Sequence, residues 1–258
     1  MTKPIMVRGV TIGEGIPKIC VSITEESREG ILEKGRKIVE SGADLVEWRA
    51  DWFHYASFED MIRVLGELRR ILEEMPLIFT FRNENEGGKK TLGLTEYMQL
   101  LAEIIVSRKA DIIDVEAFKT GLLDTDYMEE LIVFAEEYGV KVLASNHDFS
   151  QTPSDETMFS TLRAMTRLKV DLVKIAVMPE NMQDVLALLS ASEMYGTWEE
   201  SIPFIAISMG EQGRISRYCG EKTGSAITFG ALGEESGPGQ IQVEELRRLL
   251  MEHHELSR

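Results

Sequence analysis

The chain has 258 residues, 43% of them hydrophobic, and a formal net charge of −16. That length suits one (β/α)₈ barrel of roughly 250 residues, enough to form a core without disulfide or metal. The acidic balance excludes nucleic acid and anionic membrane surfaces as partners, because both call for clustered Lys and Arg.

Met1 to Pro4 contain no apolar signal core, and no apolar run nears the ~20 residues of a membrane span. A cytoplasmic protein is expected. The two cysteines, Cys20 and Cys219, match no metal-ligand spacing and read as reduced thiols.

Residues 5–14, with Val7, Val10, Ile12 and Gly13, read as a small hairpin closing one end of the fold. Eight short apolar runs follow: Ile19–Ile23, Asp44–Arg49, Leu77–Phe81, Ile112–Glu116, Val140–Ser145, Leu172–Val177, Phe204–Ser208 and Ala226–Phe229. They show little alternation, as parallel strands covered by helices do. Helical periods separate them at Ser27–Glu40, Phe58–Glu73, Leu94–Arg108, Asp126–Tyr138, Glu156–Leu168 and Met182–Tyr195. A short helix near Ile215 and a last one at Val243–His253 complete the alternation. Eight strand–helix repeats in one chain predict an α/β fold, a (β/α)₈ TIM barrel, as a single domain over residues 1–258.

Working residues of such barrels sit at the carboxyl ends of the strands. Lys174 lies inside the apolar run Val170-Asp171-Leu172-Val173-Lys174-Ile175-Ala176-Val177. Either it snorkels to the surface, or it points into the barrel, where desolvation lowers its pKa and makes its amine a nucleophile for carbonyls. His147, in Ser145-Asn146-His147-Asp148, ends the preceding strand and is the natural general acid/base for it. Glu47 and Arg49 share one strand face. With Arg82 and Glu86 after the third run, they form either a structural ion network or a set of contacts for a polyhydroxylated substrate. Asp114 and Glu116 either balance the arginines or act directly. Gly233–Gly239 follows the last strand and reads as a lid. No nucleotide-binding glycine pattern and no His-x-x-x-His is present, so neither cofactor nor metal is expected.

Six segments occur in family order: Glu47-Trp48-Arg49; Thr80-Phe81-Arg82 with Glu86-Gly87-Gly88; Ser145-Asn146-His147-Asp148-Phe149; Lys174-Ile175-Ala176-Val177-Met178-Pro179; Gly224-Ser225-Ala226 with Thr228-Phe229-Gly230; and Pro238-Gly239-Gln240. On these the chain resembles the type I 3-dehydroquinate dehydratase family over nearly its whole length. The resemblance implies a lyase of the shikimate pathway, converting 3-dehydroquinate to 3-dehydroshikimate and water without a cofactor, in a typically homodimeric enzyme. It implies Lys174 as imine nucleophile, His147 as general acid/base and Glu86 orienting His147. Arg217 would hold the substrate carboxylate under a lid bearing Ser236 and Gln240. Glu47, Arg49, Arg82 and Ser22 would contact the rest of the substrate. Gly237 stands where the family lid more often has alanine. The competing readings are another Schiff-base barrel lyase of class I aldolase type, and a catalytically silent barrel; the latter would be expected to lose site residues, and none is lost.

Overall fold

The computed structural model describes residues 2–117 and 125–256. A two-stranded antiparallel hairpin, β1 (Ile5–Val7) and β2 (Val10–Ile12), comes first. Then follow β3 (Lys18–Ile23), α1 (Arg28–Glu40), β4 (Leu45–Arg49), α2 (Phe58–Leu72), β5 (Leu77–Thr80), α3 (Leu94–Ser107), β6 (Ile112–Glu116), α4 (Thr125–Tyr138), β7 (Lys141–Asp148), α5 (Asp155–Arg167), β8 (Leu172–Val177), α6 (Met182–Thr197) and β9 (Phe204–Ser208). Two single-turn helices, α7 (Ile215–Tyr218) and α8 (Gly220–Thr223), lead to β10 (Ile227–Ala231), β11 (Ile241–Gln242) and α9 (Val243–Glu255).

The strands pair in parallel in the order β11-β10-β3-β4-β5-β6-β7-β8-β9. The circle closes where Phe204 bridges Ser225 and the Ala226 N–H donates to the Phe204 carbonyl at 2.7 Å. The fold is the expected α/β barrel, with the hairpin over one end.

The barrel interior has an apolar floor and a polar upper storey. Cys20, Leu45, Ile78, Ile112, Leu143, Leu172, Ile205 and Ile227 form the floor with Val7 and Ile12 of the hairpin. Side chains alternate along a strand, so the next inward positions are two residues on. Six of the eight, Ser22, Glu47, Thr80, Asp114, Ser145 and Lys174, are polar, the other two are Ile207 and Phe229, and all are buried. Apolar strand composition therefore reflects the helix-covered outer face, while the inward face turns polar toward the carboxyl ends.

A repeated cap fastens the opposite end. The carboxylates of Asp44, Asp111 and Asp171, each just before an even-numbered strand (β4, β6, β8), accept the N–H of Ile19, Leu77 and Val142 at 2.7, 2.9 and 2.9 Å. In the fourth strand pair, Ser225 Oγ accepts the Ala206 N–H at 3.1 Å. Each cap ties two neighbouring strands where a helix loop enters the barrel and a backbone donor would otherwise lie unpaired.

Several boundaries differ from the sequence reading. The fifth barrel strand runs to Asp148 rather than Ser145, so His147 lies within it and registers with Ala176. The last barrel strand runs from Ile227 to Ala231 rather than Ala226 to Phe229. Polar residues at a strand's carboxyl end break the apolar run without breaking the hydrogen-bond ladder. The short α8 and β11 carry too few residues for a period to appear. Among the described residues no helix is long and apolar enough to cross a membrane.

Candidate active site

Lys174 sits midway along β8, where register places it beside Ser145 of β7 and Ile205 of β9. Its side chain is turned inward and 7% exposed. Nζ stands 3.8 Å from Glu47 Oε1 and 4.2 Å from the centre of the Phe229 ring. Burial pushes the Lys174 ammonium below the ordinary lysine range, while Glu47 and Asp114 pull it back. Glu47 is itself held: Ser22 Oγ donates to Oε2 at 2.6 Å and Thr80 Oγ1 to Oε1 at 2.9 Å. Burial opposes its ionisation, but Lys174, Arg49, Ser22 and Arg82 outweigh burial and keep it below the usual carboxylate range.

His147 enters the same cavity from β7. Glu86 lies behind it on a single 3-10 turn, Glu84–Glu86, that follows β5. Its Oε2 lies 2.9 Å from His147 Nδ1 and accepts the His147 backbone N–H at 3.0 Å. The turn holds its place because Gly87 takes φ +83° and Gly88 packs against the Arg82 backbone, where a side chain would collide. Burial raises Glu86 to about 8, against the pull of Arg82 and with the push of Glu116 and Asp114.

Arg49 is locked by a forked pair of hydrogen bonds to Asp51, both 2.8 Å, and reaches the cavity wall. Arg82 takes a different place from the one expected. It stands behind the wall, donating to Asp114 at 2.8 Å, Ser145 at 2.9 Å and Glu116 at 3.3 Å. Burial would lower its pKa, but Asp114, Glu116, Glu86 and Glu47 raise it. Asp114 and Glu116 accordingly balance Arg82.

Arg217 is buried on α7. It donates to the Pro238 carbonyl at 2.7 Å and to the Phe229 carbonyl at 3.3 Å, and its Nε has no partner among the described residues. Burial lowers it to about 10, opposed by Glu235. Ser236 and Gln240 hang over the cavity bonded to each other, with the Ser236 N–H donating to Gln240 Oε1 at 2.9 Å.

With the lid seated, Ser22, Glu47, Arg49, His147, Lys174, Arg217, Ser236 and Gln240 line one cavity of about 70 Å³. A wider cavity of about 520 Å³ lies near the hairpin end, bordered by Gly13, Gly220, Gly224 and Glu221, and has neither lysine nor histidine on its wall. The chemistry belongs to the smaller one. Gly237 of the loop and Phe149, Ala176, Ile207, Met209 and Phe229 complete its wall, and sequence reasoning missed the last five. Inward strand parity from Lys174 and Ile205 points to Ala176, Ile207 and Met209; no sequence signal separates Phe149 from a core residue.

A desolvated amine, an imidazole oriented by a carboxylate, and cationic and hydroxyl groups around them define a barrel enzyme equipped for acid–base work on a small anionic carbonyl compound. Comparison with known proteins narrows the class. A family model described as type I 3-dehydroquinase matches residues 19–257. The 3-dehydroquinate dehydratase of Clostridioides difficile is 42% identical over 252 residues, covering 97% of each chain. A solved type I 3-dehydroquinate dehydratase from Clostridium difficile, with covalently modified comenic acid, superposes with a TM-score of 0.94 at 41% identity, covering 99% of this chain and all of that one. The Geobacillus kaustophilus 3-dehydroquinate dehydratase gives 0.92 at 34% identity, covering 99% of this chain and 98% of the other. The chain belongs to the type I 3-dehydroquinase family, and it is an enzyme of that family.

Proposed function

We propose that this enzyme dehydrates 3-dehydroquinate to 3-dehydroshikimate and water through an imine on Lys174, with His147 as general acid and base. The observation that carries the mechanism is the placement of Lys174 and His147 on adjacent strands, both facing one cavity. The neutral Lys174 amine attacks the substrate ketone, and loss of water gives a cationic iminium. The iminium acidifies the neighbouring carbon, from which His147 takes a proton. The electron pair forms the ring double bond as the hydroxyl leaves, protonated by His147, and water then hydrolyses the imine to free Lys174. A positioned base contributes about 10²–10⁴-fold to such a step.

Arg217 meets the substrate carboxylate, with Ser236 and Gln240 above it. Glu47, Arg49 and Ser22 meet the ring hydroxyls. Arg82 serves the hydroxyl side from behind, fixing Asp114 and Ser145. The same reading makes the protein a cytoplasmic homodimer of the shikimate pathway, with the dimer measurable by light scattering.

Borohydride with 3-dehydroquinate tests the reading. It should add one reduced substrate mass per chain, mapped to the Lys174 peptide, and Lys174→Ala should take up none. A label on another lysine overturns the mechanism; absence of dehydration by the wild type overturns the activity.

A further inference from the structure

The lid carries an acidic residue that this chemistry leaves unused. Glu235 Oε2 accepts the backbone N–H of Gly239 at 2.9 Å and of Gln240 at 3.3 Å. On the other side of the loop the Gln240 side chain reaches back, accepting from the Ser236 N–H at 2.9 Å and donating to Ser236 Oγ at 2.9 Å. Residues 235–240 thus close into a small ring of hydrogen bonds in which one carboxylate holds the returning backbone. The ring needs such a brace. Gly237 and Gly239 leave its backbone with wide conformational freedom, and Gly239 takes φ +74°. Gly239 also packs so closely on the Gly210 backbone that a side chain there would collide. Ser236 and Gln240 line the cavity, and Glu235 does not.

We propose that Glu235 is a positioning residue: by holding the Gly239 and Gln240 amides it presets the lid in the shape that brings Ser236 and Gln240 onto the substrate. It touches no reacting atom, so its effect falls on binding. The ring is the same before and during the chemical step, and a contact made equally in both states changes KM and leaves kcat alone. What the brace requires is an acceptor oxygen. Glutamine supplies one and alanine does not. The expected effect on KM rests on the activity proposed above; the brace itself does not.

Two readouts separate the possibilities, using Glu235→Ala and Glu235→Gln in the full chain. Without ligand, amide exchange at Gly239 and Gln240 should be about tenfold or more faster in Glu235→Ala and near wild type in Glu235→Gln. With 3-dehydroquinate, Glu235→Ala should raise KM about three- to tenfold, as expected for one or two lost hydrogen bonds, with kcat within about twofold. Glu235→Gln should restore KM. Unchanged exchange in Glu235→Ala overturns the brace. A Glu235→Gln variant that behaves like Glu235→Ala overturns the acceptor role. A kcat loss at constant KM, or no KM change at all, overturns the link to binding. If the wild type does not turn over 3-dehydroquinate, the activity assignment fails instead, and the exchange comparison still decides the brace.

Discussion

One carboxylate oxygen of Glu86 holds His147 twice, 2.9 Å from ring Nδ1 and 3.0 Å from the backbone nitrogen. The double contact fixes strand and ring together, and on the proposed mechanism Nε2 is the nitrogen that works on substrate. The other oxygen, Oε1, is buried with no partner among the described residues, which adds to the cost of ionising Glu86.

The first prediction is a pH dependence. With Glu86 raised to about 8, its carboxyl holds a proton below that pH and releases it above. The carboxylate that orients His147 therefore grows in as pH rises toward 8, and kcat/KM should rise with it. In Glu86→Gln the anion that favours imidazolium is gone. The rising limb should shift to lower pH, and kcat should drop about 10- to 100-fold, part of what a positioned base supplies. Linkage gives a second sign. A carboxyl raised in the fold from 4.5 to about 8 binds more protons folded than unfolded between those values. Its contribution to stability is present below about 4.5 and is lost as pH rises through 8. Denaturant midpoints across that window should slope less in Glu86→Gln. A limb that does not move would refute the pairing.

The second prediction concerns the nucleophile. Burial lowers Lys174 and Glu47 restrains that fall from 3.8 Å away. Glu47→Gln keeps one acceptor oxygen, puts an N–H donor in place of the other, and removes the charge. The amine should then deprotonate at lower pH than in the wild type. The check is the pH midpoint for labelling Lys174 with an amine-directed reagent, read by peptide mass spectrometry. A midpoint that stays or rises excludes the electrostatic coupling.

How much of this could be read from the chain follows from what period carries. The eight barrel strands announce themselves because their outer faces are uniformly apolar, and Lys174 stands out against that background. The inward face is where reading fails. Asp51 and Thr80 hold Arg49 and Glu47 in place, yet each looks like an ordinary polar residue near a strand end. Arg82 was expected at the ring hydroxyls; nothing in Phe81-Arg82-Asn83 tells that Asp114 and Ser145, more than thirty residues away, would claim its guanidinium. Such pairing arises from register between strands, which a single segment does not encode.

The third prediction sets two of the repeated caps against each other. Asp111 serves the Leu77 N–H, Arg69 at 2.8 Å and Arg8 of the hairpin turn. Arg69 and Asp111 side chains are 10% and 11% exposed, so Asp111→Ala strands a largely buried cation and a backbone donor. The loss should be about 3 kcal/mol, the low end for a broken buried pair, since Arg69 keeps two carbonyl partners. Asp171 has only the Val142 N–H and Lys141, whose side chain is 41% exposed. Asp171→Ala should cost about 1 kcal/mol. Urea unfolding measures both, and equal losses would sink the argument.

The fourth prediction uses Gly237. A Cβ there would meet nothing closer than Gln240 Nε2 at 4.0 Å, and the residue is not among the glycines with positive φ. Gly237→Ala should remove chain freedom from the open lid at no steric cost, about 0.4–1 kcal/mol. Expressed as binding, KM should fall about two- to fivefold while the unfolding midpoint of the barrel stays put. A raised KM would show that the lid uses the flexibility of Gly237 when it closes.

The fifth prediction is that Arg217 couples substrate to the lid. On the proposed mechanism the loop of residues 235–240 lifts to admit substrate and closes again over it. Two groups grip the Pro238 carbonyl when it is down: Arg217 Nη2 at 2.7 Å and the Gly210 N–H at 3.1 Å. Arg217 Nε is buried and unpaired among the described residues, and a substrate carboxylate would satisfy it. Carboxylate and lid thus meet on one guanidinium. The Gly210 amide reports closure directly, since its acceptor belongs to the lid. Its exchange should slow when 3-dehydroshikimate is added to the wild type and should be indifferent to it in Arg217→Ala. That variant should also bind about 2–5 kcal/mol more weakly, the usual loss on truncating one member of a buried charge pair. Arg217→Lys should remain impaired, because an ammonium cannot reach carbonyl and carboxylate in the fork's geometry. If Gly210 exchanges at one rate with and without ligand in the wild type, the loop does not act as a ligand-coupled lid.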